Sequence, residues 1–457
     1  MRTGRLMLRH FSIGKKTLLV FCAVGLLGSL LSGQTPTTST AQGAKELYRQ
    51  GMAAVQRADL SAARNSFEKL VQIAPNSPDA HNSLGWVMQH QGELESAIAE
   101  FRSAIKLKPN FPQARLNLAN ALCQERDFAE AESQAREAVK LAPKDSETHR
   151  TLGRVLGLRG DLAGAIVELK QSVSEDPKRP DLRDDLGALL EQKGETEAAA
   201  EQFSRSLQLE PNFPPALLHL GVVRWQQKSL PEAHELLAKA VQAAPDNADV
   251  HYYLARILQD ENQTGEAIRE LKQATALQPE FADAQQSLGL LLQRNGEIAD
   301  AIAAFRHVVQ LRPDDPDAYS NLGLALIQSG DAAAAVPEFQ TAIRLRPEDA
   351  AYPENLGTAY LQRADFDSAI TQFRAALQIA PQDPTAHYDL GLALKLKDRL
   401  DDAVAELRRA EELAPDQPDV HYTLGVTLWQ KGEFPQAEDE LRAATEAKPD
   451  YAEAYYT

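Results

Sequence analysis

Proline recurs at a fixed interval of 34 residues through almost the whole chain: Pro75, Pro109, Pro143, Pro177, Pro211, Pro245, Pro279, Pro313, Pro347, Pro381, Pro415 and Pro449. A proline cannot donate its backbone nitrogen to a helical turn and pushes the residue before it out of helical dihedrals. Each member of the series therefore marks the end of a segment. Alanine stands twelve residues before every one of them, from Ala63, Ala97 and Ala131 to Ala403 and Ala437. Such fixed-period self-similarity describes small units that bury their apolar faces on one another, and it overrides any domain count drawn from the length of 457 residues.

With the proline placed at position 32, twelve units abut without insertion from Ala44 to Tyr451. Position 7 is leucine in eleven units and position 8 is glycine in ten, with Ala119 and Ala255 in the others; position 24 is phenylalanine in six, such as Phe101, Phe203 and Phe373, and leucine in five. Apolar or small residues at 7, 8 and 11, and again at 20, 24, 27 and 28, have helical spacing, so each unit is expected to be two amphipathic helices. Small residues at 8 and 20 let the helices cross closely, and the side chain at 24 fills the space beside the crossing. Gly at position 15 followed by an acid, as in Gly92-Glu93, Gly160-Asp161, Gly296-Glu297 and Gly432-Glu433, supplies a helix stop and then a start. Pro337 falls inside a second helix and predicts a local bend there rather than a break.

These residues, Leu-Gly at 7 and 8, Ala at 20, Phe at 24, Ala at 27 in many units and Pro at 32, make residues 44–451 resemble the tetratricopeptide-repeat (TPR) family. The resemblance implies an all-α fold, a right-handed α-solenoid or superhelix of twelve helix-turn-helix repeats, with the first helices lining its concave wall and more than one turn completed. The chain is also similar to the superhelical repeat arrays of O-GlcNAc transferases, but no catalytic domain follows. Of the asparagines those arrays carry at position 6, only Asn117, Asn321 and Asn355 match. The lysine, asparagine and arginine clamp of chaperone-tail-binding members is missing, since position 5 begins Tyr48, Asn82, Leu116, Arg150, Asp184, Leu218.

The first 33 residues have the pattern of a targeting segment. Basic residues ending at Lys15-Lys16 precede an apolar run from Thr17 to Leu31, which predicts a signal peptide, cleaved after Gly33 or Ala41, or an uncleaved membrane anchor through residues 17–33. Either way the positive flank places the repeats outside the cytoplasm, in the periplasm or against the envelope. Residues 34–43 are expected to be a Ser/Thr-rich linker. Residues 452–457 begin an incomplete thirteenth repeat, so the apolar flank of the twelfth is expected either to be covered by further chain or to self-associate with another copy.

The net charge is −17, and the first 41 residues carry five basic groups and no acid, which leaves −22 on the remainder. A surface that acidic repels phosphate backbones, so no nucleic acid is expected as a partner. Cys22 and Cys123 provide no disulfide framework and no thiolate metal site. His234-Glu235 starts like a zinc-protease motif, but Ala238 stands where the second histidine is needed. The histidines at position 4 (His81, His149, His251, His387, His421) are 34 residues or multiples of it apart, on different units, which does not bring two of them to one ion. They are expected to be structural. No catalytic residue, metal site or cofactor is expected, and acids at position 2, such as Asp79, Glu147, Asp249, Asp317 and Asp419, suit the helix dipole.

What remains points to binding of proteins or peptides. All three tryptophans fall on positions that the family turns to its groove, Trp86 at 9, Trp225 and Trp429 at 12, together with Tyr252, Tyr388 and Tyr422 at 5, Tyr253 at 6 and Arg256 at 9. They are either anchors for a partner or packing between neighbouring first helices. Asn117, Asn120, Arg150 and Arg154 form a second patch, in which the arginines either hold a ligand carboxylate, with the asparagines pairing a peptide backbone, or bridge to Asp184. The function expected is an exported scaffold that holds peptide segments or partner proteins in its groove. The alternative is a regulatory or substrate-recruiting arm of an enzyme whose catalytic part lies elsewhere.

Overall fold

The computed structural model describes residues 38–450. The targeting segment expected over residues 1–33 and the thirteenth repeat expected from 452 lie outside the described residues. Among those described there are twenty-four helices in twelve pairs and no strand, an all-α repeat solenoid. Packing divides the chain into two units, the first ending at Ala244 and the second beginning at Pro245, with six helix pairs in each. No helix among the described residues is long and apolar enough to cross a membrane.

In the first unit the pairs are α1 Thr38–Gln56 with α2 Leu60–Ile73, α3 Pro78–His90 with α4 Leu94–Leu107, α5 Pro112–Gln124 with α6 Phe128–Leu141, α7 Ser146–Arg159 with α8 Leu162–Glu175, α9 Pro180–Gln192 with α10 Thr196–Leu209, and α11 Pro214–Gln226 with α12 Leu230–Ala243. In the second they are α13 Ala248–Asp260 with α14 Thr264–Leu277, α15 Ala282–Arg294 with α16 Ile298–Leu311, α17 Pro316–Gln328 with α18 Ala332–Leu345, α19 Ala351–Gln362 with α20 Phe366–Ile379, α21 Pro384–Leu396 with α22 Leu400–Leu413, and α23 Pro418–Lys431 with α24 Phe434–Ala447. Helix α1 starts at Thr38 and so takes in most of the stretch expected to be a linker. Helix α18 runs unbroken through Pro337.

The crossing of each pair is built from positions 8, 20 and 24. Ala63, Ala97, Ala165 and Ala199 are wholly buried, and the rings of Phe101, Phe203, Phe305, Phe339 and Phe373 are equally so. A Cβ placed on Gly187 would lie 2.5 Å from the Phe203 ring, and one on Gly323 would lie 2.6 Å from that of Phe339. Glycine at 8 is therefore the counterpart of the phenylalanine at 24, whereas in the seventh repeat Ala255 is accommodated beside Leu271, both buried. The third repeat shows the reciprocal solution, Ala119 with Ala135, both buried.

The turn inside each pair is more uniform than its sequence. Position 15 is left-handed in all twelve repeats: in six the residue is glycine, from Gly92 (φ 83°) to Gly432 (φ 85°), and in six it is Ala58, Arg126, Lys228, Asn262, Ala364 or Asp398, at φ between 55° and 64°. The following amide bonds back to a carbonyl five residues earlier every time, as in Glu93 N to Met88 O and Arg399 N to Leu394 O, both 2.9 Å. That is a Schellman closure, and it holds the turn whether or not glycine is present. Asp59 then caps the next helix, its Oδ1 accepting the Ala62 amide at 2.9 Å.

An L-residue in this conformation carries about 1–2 kcal/mol of strain, partly offset by the greater freedom that glycine has when unfolded. Lys228 and Ala364 are exposed there. Lys228→Gly and Ala364→Gly are therefore each expected to stabilise the chain by about 0.5–1 kcal/mol, read from urea unfolding. A loss of stability in both would show that the turn is not strained.

Candidate functional site

First helices of neighbouring repeats touch within each unit, as in α3 with α5, α5 with α7, α9 with α11, α19 with α21 and α21 with α23. Positions 5 and 6 meet along this row. Asn117 Nδ2 donates to Asn82 Oδ1 at 2.9 Å, His219 Nδ1 lies 2.9 Å from Asp184 Oδ1, Asn355 Nδ2 donates to Ser320 Oγ at 3.4 Å, and the Tyr388 hydroxyl lies 3.4 Å from Thr423 Oγ1. The partners are 35 residues apart in every case. One unit's position 5 faces the next unit's position 6, so a ladder of polar rungs crosses between these repeats, interrupted where Leu116 and Leu218 are buried at position 5. The pairing was readable as an i, i+35 relation, but only once both positions were compared across the repeat boundary.

Arg150 belongs to this ladder. Its Nε donates to Asp185 Oδ2 at 2.6 Å and its Nη1 lies 2.8 Å from Asp181 Oδ2 and 3.5 Å from Glu147 Oε1, with only 16% of the side chain exposed. Its bridge is to Asp185 and Asp181 rather than to Asp184, which is turned to His219. Burial pulls the guanidinium pKa down, but Asp185, Glu147 and Asp181 outweigh it and hold the pKa above the usual value. Arg179 adds a second cation, bonded to Glu147 and, at 3.0 Å, to Asp181. Arg154 is half-buried one turn along the helix, and burial pulls its pKa down against the attraction of Asp185. Asn120 is half-buried beside buried Asn117.

The aromatic residues divide into two groups. Tyr252 and Tyr253 are buried; Tyr252 packs on Tyr253 and on Phe281, with ring centroids 5.1 and 4.9 Å apart, and its hydroxyl accepts from Arg256 Nη1 at 3.0 Å. These serve packing. Trp86, Trp225, Tyr388 and Tyr422 are half-buried, and Trp86 stacks on His90 at 3.7 Å. Trp429 is 51% exposed.

The position-4 histidines are structural, as expected, and share one geometry. In His81, His149, His251, His387 and His421 the Nδ1 faces a glutamate 19 residues on and the Nε2 faces the carbonyl of the repeat-closing proline six residues back. Each histidine thus ties a first helix both to its own second helix and to the preceding stop. At His81 the two acceptors call for two N–H donors, which favours the protonated ring. The Glu100 hydrogen bond indeed raises the His81 pKa.

On the wall of the tenth and eleventh repeats the ladder brings together like charges. Glu354 and Asp389 occupy positions 5 and 6, and burial, followed by repulsion from Asp383 in both cases and from Asp389 on Glu354, pushes their pKa values up to about 7 and about 6. All three raised values act in one direction. A histidine with a raised pKa contributes stability that is complete below its unfolded value, about 6.5, and is lost as pH rises through the folded value. A carboxyl with a raised pKa likewise favours the unfolded chain as pH climbs from the unfolded to the folded value. Thermal melting in the presence of a chelator is therefore expected to occur at a higher temperature at pH 5.5 than at pH 8. A midpoint that rises over this interval would contradict the assignment.

Models of the tetratricopeptide repeat match residues 48–114, 185–248, 287–350 and 354–418, more than half of the chain, and a second such model matches 88–155, 224–291 and 396–457. Solved structures to which the chain is similar include the APC/C hetero-tetramer Cut9-Hcn1, at 16% identity and TM-score 0.42 over 90% of this chain and 95% of that one. A tetratricopeptide repeat protein from Parabacteroides merdae is 15% identical with TM-score 0.46, over 55% of this chain and 99% of its own. YrrB, described as a TPR protein with an unusual peptide-binding site, is 23% identical with TM-score 0.36, over 39% and 92%. No curated protein sequence matches the chain. With a model of the repeat matched over most of its length, the chain belongs to the tetratricopeptide-repeat family, whose arrays serve as protein–protein interaction scaffolds.

Proposed function

We propose that the chain is an exported scaffold that receives extended peptide segments or partner proteins along the wall of its first helices. The observation that carries this reading is the wall of repeats ten to twelve. There the ladder sets the carboxyls of Glu354 and Asp389 against each other, where Arg150–Asp185 and Asp184–His219 are complementary, and Tyr388, Tyr422 and the 51%-exposed Trp429 lie on the same helix row. A cationic group from a partner would relieve that repulsion, and aromatic side chains supply rigid apolar area around it. A basic segment with apolar neighbours is the matching ligand, in keeping with the net charge of −17. Export is supported by the N-terminal pattern of basic residues followed by the apolar run from Thr17 to Leu31.

Selection from a random peptide library on the immobilised protein tests the binding reading. Enriched peptides are expected to carry Lys or Arg beside apolar residues, and Trp429→Ala combined with Glu354→Gln is expected to weaken them at least roughly tenfold, the loss of one hot-spot residue. Failure to enrich any peptide, or equal binding to the variant, would overturn it. Fractionation of cells producing the full chain tests export separately.

A further inference from the structure

Of the five repeated histidine sites, the one in the twelfth repeat has an additional acid. Position 28 of the preceding repeat is Val71, Val139, Val241 and Leu377 ahead of the other four histidines, but Glu411 ahead of His421. No other repeat has an acid at position 28. Glu411 on α22, His421 on α23 and Glu440 on α24 converge, with one ligand atom from each lying within 4.8 Å of the others. The Nδ1 of His421 is 2.8 Å from Glu440 Oε2 and 3.9 Å from Glu411 Oε1. The expectation of no metal ligands considered pairs of histidines, which the repeat does hold apart; it overlooked the carboxylates that the same repeat brings to each ring.

We propose that His421, Glu440 and Glu411 bind one divalent cation of the zinc class and so staple the eleventh repeat to the twelfth. The hydrogen bond at the far nitrogen suits this role. His421 Nε2 faces the Pro415 carbonyl at 2.7 Å and donates its hydrogen there, so an ion that displaces the Nδ1 proton finds that nitrogen's lone pair directed at the two carboxylates. An imidazole whose other nitrogen donates to a backbone carbonyl is the usual outer-shell support of a metal-bound histidine. Bonds of about 2.0–2.2 Å to a tetrahedral ion need donors roughly 3.3 Å apart. The present separations bracket that value, and the two flexible glutamates can close on an ion while water takes the fourth place.

Ligand chemistry selects the class of ion. Calcium and magnesium prefer oxygen-only sets, whereas one imidazole with two carboxylates suits zinc and its transition-metal neighbours. Burial is deepest at the nitrogen: the His421 side chain is 10% exposed, that of Glu440 13% and that of Glu411 27%. Entry is therefore from the Glu411 side. Arg408 is the nearest competing cation, with Nη1 at 4.0 Å from Glu440 Oε1, and Glu412 adds negative charge next to Glu411. The ligating histidine must be neutral, so affinity falls in acid.

The test is zinc chloride titrated into the full chain at pH 7.5, followed by calorimetry and by competition with a chromophoric chelator. Magnesium chloride is the parallel arm, and Glu411→Val, which installs the side chain found ahead of three of the sister histidines, is the main variant. Expected are one zinc ion per chain, a thermal midpoint raised by zinc and not by magnesium, and a loss of affinity of roughly tenfold or more in Glu411→Val. In chelator that variant should melt at or above the temperature of the unaltered chain, because it removes a carboxylate from beside Glu440. His421→Gln should also lose binding; if it fails to fold, Glu411→Val still decides. Absence of zinc binding by the unaltered chain, equal binding of magnesium, or unchanged affinity and stoichiometry in Glu411→Val would each overturn the proposal.

Discussion

Arg150→Ala is expected to destabilise the fourth and fifth repeats by about 3–5 kcal/mol, the range for breaking a buried ion pair from one side. The size follows from what is left behind. Asp185 Oδ2 and Asp181 Oδ2 lose a guanidinium at 2.6 and 2.8 Å, and both are largely buried. Arg179 still bonds Asp181 and Glu147, and Asp185 keeps only the electrostatic support of Arg154, whose own pKa burial pulls down. Arg150→Lys keeps the charge and loses the fork, so it should fall between alanine and the native residue. Removing the acid as well, in Arg150→Ala with Asp185→Ala, should recover part of the loss, because the penalty is mainly that of a buried charge that has lost its bonded partner. In a repeat array the loss stays local, so hydrogen exchange should quicken first in α7 and α9, with urea unfolding giving the total. If Arg150 is instead a lightly held side chain awaiting a ligand carboxylate, alanine will change stability by no more than about 0.5 kcal/mol, and that result would remove it from the ladder.

The contrast between Arg150 and Phe203 shows what could be read from the chain and what could not. Helix pairs, stops and crossings follow from contacts inside one 34-residue unit. Positions 8, 20, 24 and 32 repeat twelvefold, so the family resemblance and the pairing of glycine with a large side chain were legible. The fate of Arg150, Asn117 and Tyr252 depends on the neighbouring repeat, and the polar residues at positions 5 and 6 vary from pair to pair while pairs such as Asn82–Asn117, Arg150–Asp185 and Asp184–His219 remain complementary. Inspecting one column at a time finds donors and aromatics and leaves open whether each meets a ligand or a neighbouring repeat. Only the relation across 35 residues shows that Asn117 meets Asn82 and that Arg150 meets Asp185. The left-handed turn was hidden for another reason: six repeats adopt it without glycine, because the amide closure five residues back imposes it. The same neighbour relation exposes Glu354 with Asp389 as the place where the ladder is frustrated.

Phe203→Ala is expected to cost about 3–5 kcal/mol, the usual range for emptying a buried aromatic site. The Phe203 ring is wholly buried, lies over Gly187 and also packs on His219 of the following repeat, with ring centroids 5.2 Å apart. Loss of the ring therefore loosens both the crossing inside the fifth repeat and the support of the His219–Asp184 pair. Gly187→Ala should cost about 1–3 kcal/mol for the opposite reason, overpacking, since its Cβ would come within 2.5 Å of the ring. The third repeat indicates how the two changes combine. Ala119 and Ala135 occupy these same positions together and are both buried, so a methyl group at position 8 is accommodated once the ring is gone. Gly187→Ala with Phe203→Ala should accordingly be less harmful than the sum of the two, with a coupling of about 1–2 kcal/mol in a double-mutant cycle on urea unfolding. Strict additivity would mean that the crossing tolerates each change independently, and the size match between positions 8 and 24 would then not be what sets the helix separation.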